Sequence, residues 1–168
     1  INILSPCGML GYGFPPESFE RAFEHEINGI VVDAGSTDAG PHKLGANVSI
    51  VSRMALKKDL ICIIQKGVQY KIPVIIGSAG GAGAKAHVEH TLDVIKEIIE
   101  ELNVQPKIGV IWADFTQEEI QYAITEERIS PLSINIAPLT REAVEKTTTI
   151  VAQMGHEPIL EALENQCD

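Results

Sequence analysis

Carboxyl and hydroxyl side chains are concentrated in the segment VVDAGSTDAGP, residues 31–41. Two valines lead into Asp33, and Ser36, Thr37 and Asp38 follow it closely. When two carboxylates lie close together, one of them keeps its proton to higher pH, and such a pair can act as general acid and general base. This chemistry suits proton transfer next to a carbonyl group, or the addition and elimination of water. We therefore predict that Asp33 and Asp38 are catalytic and that Ser36 and Thr37 bind the substrate.

The loop after Asp33 runs to about Asn47, and its length of about fifteen residues exceeds the usual connection between a strand and a helix. Long loops of this kind commonly carry function. A structural alternative stays open for the same segment. The two aspartates can cap turns through hydrogen bonds to the backbone, while Gly35 and Gly40 supply positive φ angles.

The second candidate is the glycine-rich segment GSAGGAGAKAH, residues 77–87, between a predicted strand and a predicted helix. Backbone N–H groups in such a turn can approach an oxyanion, and a helix N-terminus adds favourable partial charge. The residues predicted to bind substrate here are Gly77, Ser78, Gly80, Gly81, Gly83 and His87. Tight packing of the strand against the helix is the structural alternative. The absence of a Gly-Lys-Ser/Thr sequence excludes a P-loop, and the segment does not follow the first strand as a dinucleotide fingerprint does.

Two further groups of titratable residues are candidates. His87 and His90 lie one helical turn apart and could hold a metal ion with Asp33 or Asp38, or act as acid and base. The sequence shows no third ligand, so we assign neither a metal nor a cofactor. Asp114 follows a predicted strand and is the third catalytic candidate, although it can equally start the turn that comes after it.

Short apolar runs alternate with amphipathic stretches along the chain, which is typical of repeated strand–helix units. Strands are predicted at residues 1–4, 29–32, 72–76, 107–112 and 134–136. Helices are predicted from Pro15–Pro16, over 49–69 and 85–102, after Thr116, from Thr140 to Gly155, and within the last segment, 156–168.

The predicted fold class is α/β: a doubly wound, Rossmann-like domain over residues 1–155, with a mainly parallel sheet of about five strands and helices on both faces. Ligands bind at the carboxyl ends of the strands in such a sheet. Asp33 and the glycine segment 77–83 should therefore open onto one shared crevice.

Composition narrows the classes of function. A formal net charge of −10 argues against nucleic acid as a partner, because phosphate binding relies on clustered Lys and Arg. No apolar run approaches the length of about 20 residues that spans a bilayer, so no membrane association is expected. Three cysteines without metal-type spacing favour reduced thiols and a cytoplasmic protein. Cys7 has no histidine nearby in the sequence to activate it, so we predict a buried thiol rather than a nucleophile.

The segments ILSPCGMLGYGFPPESFE, VVDAGSTDAGP and IGSAGGAGA occur in this order. In these three segments the chain resembles the N-terminal part of the acyclic terpene utilisation (AtuA-like) family, through at least the third predicted helix. The resemblance implies a longer protein with a role in the catabolism of branched acyclic terpenes, and some members resemble proteins labelled methylaspartate ammonia-lyase. It marks loops 33–41 and 77–83 as family signatures without giving them catalytic roles.

The chain lacks an initiating Met and stops just after a helical pattern. We therefore expect residues 156–168 to be a C-terminal helical segment that leads into a domain absent from this chain. The expected partners are a small anionic metabolite and the remainder of the longer chain, and a homo-oligomer stays open.

The function these patterns favour is the N-terminal domain of a catabolic enzyme acting on a small carboxylic acid or acyl thioester. The reaction would be acid–base chemistry of the lyase or hydratase type. Two alternatives stay open. One is a non-catalytic nucleotide- or metabolite-binding domain with a regulatory or assembly role. The other is the structural half of an enzyme whose partner domain holds the chemistry.

Overall fold

The computed structural model describes residues 1–36 and 40–168, so the predicted site residues Thr37 and Asp38 lie outside the described residues. The strands are β1 Ile3–Leu4, β2 Gly29–Asp33, β3 Val74–Gly77, β4 Asp114–Phe115 and β5 Ile150–Val151. The helices are α1 Pro16–Ala22, α2 Gly40–Ala46, α3 Arg53–Tyr70, α4 Lys85–Leu102, α5 Gln117–Thr125, α6 Arg141–Glu145 and α7 Glu157–Glu164, with a 3₁₀ turn at Ala79–Gly81. None of the helices in the described ranges is long and apolar enough to cross a bilayer.

The central sheet consists of β1, β2 and β3 in that order, and all its pairs are parallel. Helix α1 connects β1 to β2, and α2 and α3 connect β2 to β3. This arrangement confirms the predicted α/β class. The described ranges hold three parallel strands rather than about five, so only this coarser part of the fold prediction is confirmed.

The core lies between the sheet and helices α3 and α4. Ile30 and Val32 of β2 are buried, because β2 is the central strand. Apolar residues of the two long helices are buried with them: Leu56, Leu60, Ile63 and Ile64 of α3, and Val94 and Ile98 of α4. At about 25 cal/mol per Å² of apolar surface removed from water, such burial is the main favourable contribution to folding.

Helix α3 packs against α4, and ion pairs join it to both α4 and α1. Lys66 of α3 pairs with Glu20 of α1 across 2.6 Å, and Arg53 and Lys57 of α3 pair with Glu97 of α4. Ion pairs as exposed as those on Glu97 contribute little to stability. The apolar contacts therefore fix the helix packing.

Several helix predictions are confirmed by the hydrogen bonds that begin the helices. The structure places α3 and α4 within the predicted segments 49–69 and 85–102 to within a few residues. Thr116 and Glu119 form a capping box at α5, and the hydroxyl of Thr140 accepts from the N–H of Ala143 at the start of α6. The helix predicted to run from Thr140 to Gly155 is shorter, because residues 150–151 form β5.

Two predicted strands do not form in this structure. Residues 107–112 have no regular secondary structure, because the N–H and C=O of Lys107 bond to Asp168 instead of to a neighbouring strand. Residues 134–136 form a turn in which the N–H of Ile136 donates to the carbonyl of Ser133, and Ile134 is fully exposed. The fourth strand of the chain is instead Asp114–Phe115, which pairs antiparallel with β5.

A buried carboxylate that the sequence analysis missed fixes the loop after β1. Asp59 lies on the apolar face of α3 with an exposed fraction of 3%, and its Oδ2 accepts from the N–H of Gly11 at 2.8 Å and of Gly13 at 3.0 Å. The same loop bonds to β2, because the N–H of Leu10 donates to the carbonyl of Asp33 at 2.8 Å. Asp59 therefore helps to hold the backbone beside Asp33.

Replacing Asp59 with Ala should lower the free energy of unfolding by about 3 kcal/mol, because two N–H groups lose a charged acceptor. Urea unfolding followed by circular dichroism measures the change. Asp93→Ala, at an exposed position of α4, is the matched control and should cost less than about 0.5 kcal/mol. Equal stability of the two variants would contradict the role given to Asp59.

Candidate functional site

The parallel pairing of β2 with β3 brings the two predicted site segments together. Asp33, the last residue of β2, is the register partner of Gly77, the last residue of β3. The N–H of Ala34 donates to the carbonyl of Gly77 at 2.9 Å. A Cβ atom built on Gly77 would lie 4.0 Å from Oδ1 of Asp33. The aspartate and the start of the glycine segment thus share one edge of the sheet.

Asp33 is exposed at this edge, and one of its oxygens is anchored. Its Oδ1 accepts from the N–H of Gly35 at 2.9 Å, which is the turn-capping bond of the structural alternative. The structural alternative also expected a positive φ angle at Gly35, and Gly35 does not have one. The glycine is needed for a different reason: a Cβ atom there would lie 2.8 Å from Cβ of Ser78 and 3.1 Å from Oδ1 of Asp33.

Ser78 follows β3 directly and adopts a left-handed conformation with φ 49° and ψ 41°. A residue with a Cβ atom pays about 1 kcal/mol or more for this conformation, and such strain is concentrated at functional sites. Ser78 is exposed and lies against Gly35. Its hydroxyl and the carboxylate of Asp33 therefore flank the same small region of surface. The predicted residue Ser36 follows on the same loop, half-buried, and its carbonyl accepts from the N–H of Gly40.

The glycines that follow Ser78 serve packing. A Cβ atom on Gly80 would lie 2.7 Å from the backbone oxygen of His87, and one on Gly81 would lie 2.7 Å from the side chain of Ile50. The N–H of Gly81 donates to Ser78 at 2.8 Å, and the N–H of Gly83 donates to Ala79 at 3.2 Å. These two N–H groups are engaged within the turn, so an oxyanion would have to bind other groups at this site.

His87 lies behind the turn. Its exposed fraction is 1%, and neither ring nitrogen has a hydrogen-bond partner among the described residues. Burial lowers the pKa of His87, and the charge of His90 adds to this shift. The nearby Lys43 backbone and the charge of Asp114 oppose it. The ring is neutral near pH 7 and sealed from solvent. The expectation that His87 reaches a ligand from the helix surface is therefore not met in this conformation.

Asp114 starts β4 and caps α4. Its Oδ1 accepts from the N–H of Lys85 at 3.0 Å, where the negative charge is favourable at the helix N-terminus. It lines a small polar cleft of about 300 Å³ together with Asn47, Thr148 and Thr149. Asp33 lines neither this cleft nor the larger one beside the glycine turn, so the clefts do not bring Asp114 and Asp33 together.

A larger, mainly apolar cleft of about 740 Å³ opens beside the glycine turn. Ser78 and Gly83 line one end of it, β3 and α4 line one wall, and residues 106–113 and α7 line the other. Its volume lies in the range of small-molecule sites.

Among the described residues, the other titratable side chains form neither a metal site nor a nucleophilic thiol. No group of three or more His, Cys, Asp or Glu side chains within residues 1–36 and 40–168 could hold a metal ion. Burial, followed by the charge of Asp59, raises the pKa of the Cys7 thiol, which disfavours a nucleophilic thiolate. Helix α2, predicted as part of a loop, contacts the glycine turn and carries the cation Lys43.

Gly80→Ala and Gly83→Ala should separate packing from backbone strain. Both residues have positive φ, 72° and 67°. A methyl group on Gly80 clashes with the backbone of His87, whereas its closest contact on Gly83 is 3.8 Å. We expect a loss of about 3 kcal/mol in unfolding free energy for Gly80→Ala and about 1 kcal/mol for Gly83→Ala. Similar losses in urea unfolding would refute the packing role of Gly80.

His87 should make stability depend on pH. Its folded pKa is lowered, so the unfolded chain binds more protons below its ordinary pKa of about 6.5. The contribution of the neutral ring is complete above about pH 6.5 and is lost as pH falls through the folded pKa, with a slope of at most about 1.4 kcal/mol per pH unit.

Urea unfolding between about pH 7.5 and 5 measures this slope. His87→Gln should remove it, and His25→Gln, at an exposed position, should leave it unchanged. An identical slope in both variants would show that His87 does not cause it.

Comparison of the chain with protein-family models, with curated proteins and with solved structures found no match.

Proposed function

We propose that this chain is the N-terminal domain of a catabolic enzyme that acts on a small carboxylic acid or acyl thioester, with Asp33 as its acid–base residue. The observation that supports the proposal is the exposed carboxylate of Asp33 at the carboxyl end of the central parallel strand, beside the strained Ser78. Ligands of α/β sheets bind at this position.

The two oxygens of Asp33 would have different tasks. Oδ1 is held by the N–H of Gly35, which fixes the orientation of the carboxylate. Oδ2 is left to exchange a proton with the carbon next to the substrate carbonyl, or with water. A base held in one orientation within hydrogen-bonding reach of its proton contributes about a hundredfold or more to the rate.

The substrate carbonyl would lie against Ser78, whose hydroxyl can donate a hydrogen bond to it. Lys43, on the helix that contacts the glycine turn, would supply positive charge for an acidic substrate. Asp38 is proposed as the second carboxylate. Asp114 is engaged as a helix cap, and the proposal gives it no step in proton transfer.

The broader features named from the sequence stay part of the proposal. They are a cytoplasmic protein, similarity to the AtuA-like family with a further domain in a longer chain, and a doubly wound sheet with more strands than the three parallel ones described. None of them is needed for the chemistry assigned to Asp33.

One observation favours a second candidate, a non-catalytic metabolite-binding domain. The hydrogen bond from Gly35 gives Asp33 a structural task that requires no chemistry. Under this alternative, the carboxylate would shape a binding loop, and its charge would matter for affinity alone.

Asp33→Asn should separate the two candidates, because the amide oxygen can still accept from Gly35 while the general base is lost. Exchange of α-protons in D₂O, followed by NMR, provides the assay with acetyl-CoA and a panel of small carboxylic acids as probes. We expect the exchange rate for the accepted probe to fall at least about a hundredfold in Asp33→Asn, with the binding constant nearly unchanged. Asp93→Asn is the matched control and should behave as the wild type.

An unchanged rate of α-proton exchange in Asp33→Asn would contradict the catalytic role of Asp33. Binding of a probe with no exchange in the wild type, and lost in Asp33→Asn, would favour the metabolite-binding candidate.

A further inference from the structure

Within residues 1–36 and 40–168, β3 is an edge strand of the central sheet, paired with β2 alone. The backbone carbonyls of Pro73 and Gly77 accept from the N–H groups of Ile30 and Ala34, at 2.9 Å each, and bonding groups alternate along a strand. The N–H and C=O groups of Val74 and Ile76 therefore face away from β2, toward the 740 Å³ cleft. Strands of parallel sheets are normally covered, because their side chains are apolar on both faces.

An apolar segment of the same chain lies across the cleft. Residues 107–112 read Lys-Ile-Gly-Val-Ile-Trp, and four of them, residues 108–111, line the cleft opposite β3. Their composition is that of a covered parallel strand. Ile108 and Trp112 are exposed where they now lie.

The direction of this segment matches β3. Helix α4 starts near the carboxyl end of β3 and runs back over 18 residues, about 27 Å. The segment then returns to the start of α4, because Asp114 accepts from the N–H of Lys85. Seven residue steps in an extended chain span about 23 Å, close to the length of α4. Residues 107–114 must therefore be nearly extended to run back along this helix. A strand, a helix and a returning extended segment form the connection that is parallel and right-handed in nearly all proteins.

The segment is bound to α7, so the two would move as one unit. The N–H of Lys107 donates to Oδ2 of Asp168 at 2.7 Å, and the N–H of Asp168 donates to the carbonyl of Lys107 at 2.9 Å. A Cβ atom on Gly109 would lie 3.2 Å from Ala162 of α7, so helix and segment are in close contact. At the other end, Asp114 is tied to α4, which supplies a hinge.

We infer that residues 107–112 swing with α7 onto the free edge of β3 and form a fourth parallel strand that closes the cleft. The movement would bury the facing apolar side chains and give hydrogen-bond partners to Val74 and Ile76. The occupant of the cleft is thus the chain's own segment. This movement does not depend on the reaction proposed for Asp33. It would, however, change the wall of the cleft beside Ser78.

Amide hydrogen exchange of the wild-type chain, followed by NMR, tests the closure. The amides of Val74 and Ile76 should exchange about as slowly as that of Ile75, at least about a hundredfold more slowly than unprotected amides. Val110→Pro should keep the segment from pairing with β3, because proline is excluded from the interior of a paired strand. Without the carbonyls of the segment as acceptors, protection at Val74 and Ile76 should disappear while Ile75 stays protected. Asn135→Pro, in an exposed turn, is the control and should leave all three protected.

Disulfide trapping gives a second test that does not depend on the proline variant folding. In a background with Cys7, Cys62 and Cys167 replaced by Ser, Ile75→Cys is combined with Val110→Cys or with Ile111→Cys. One of the two pairs should form a disulfide under mild oxidation, because paired strands bring Cα atoms within about 7 Å. The control pair, Ile75→Cys with Leu132→Cys, should not. Unprotected amides at Val74 and Ile76 in the wild type, or no disulfide in either test pair, would overturn the inference.

Discussion

The parallel pairing of β2 with β3 is the constraint on which the candidate site depends. Along β2, Ile30 and Val32 are buried, while Val31 is half-buried and Asp33 is exposed. A slip of one residue would reverse this alternation and place the carboxylate where Val32 now packs. Burying that charge without a partner would cost far more than the slip could gain. The apolar pattern of β2 thus fixes both the register with β3 and the exposure of Asp33 beside Gly77.

The parts of the structure that were predictable from the sequence depend on local interactions. The amphipathic patterns of α3 and α4 locate the two long helices, and Thr116 and Glu119 locate the start of α5, because a helix satisfies its own backbone and a capping box spans only four residues. The closeness of Asp33 to Gly77 was also predictable, since it needs only the parallel pairing of β2 with β3. Helix α2 was missed because it has only seven residues and two of them, Gly40 and Gly45, are weak helix formers.

The parts that were not predictable depend on partners far away in the sequence. Residues 107–112 have the composition of a strand, yet the groups of Lys107 bond to Asp168, and nothing in the segment itself reveals this. The segment Leu-Ser-Ile-Asn-Ile alternates as a strand does, but it bonds within its own turn between Pro131 and Pro138. The burial of Asp59 could have been predicted from the sequence. Its acidic side chain lies among Leu56, Leu60 and Ile63 on an apolar helix face. A charge in such a place needs specific partners, and the loop glycines are its partners.

Asp59 and Asp33 show why residue type alone does not identify a catalytic group. Both are aspartates that accept backbone N–H groups from glycine-rich loops. Asp59 is buried, and the one oxygen that bonds Gly11 and Gly13 holds a loop that in turn contacts the backbone of Asp33. Asp33 is exposed beside Ser78, and within residues 1–36 and 40–168 its carboxylate accepts from Gly35 through Oδ1 alone. A carboxylate has about four acceptor positions, so the difference lies in which of them a substrate can reach. The structure therefore divides two chemically identical groups into one that supports the loop and one that can meet a ligand.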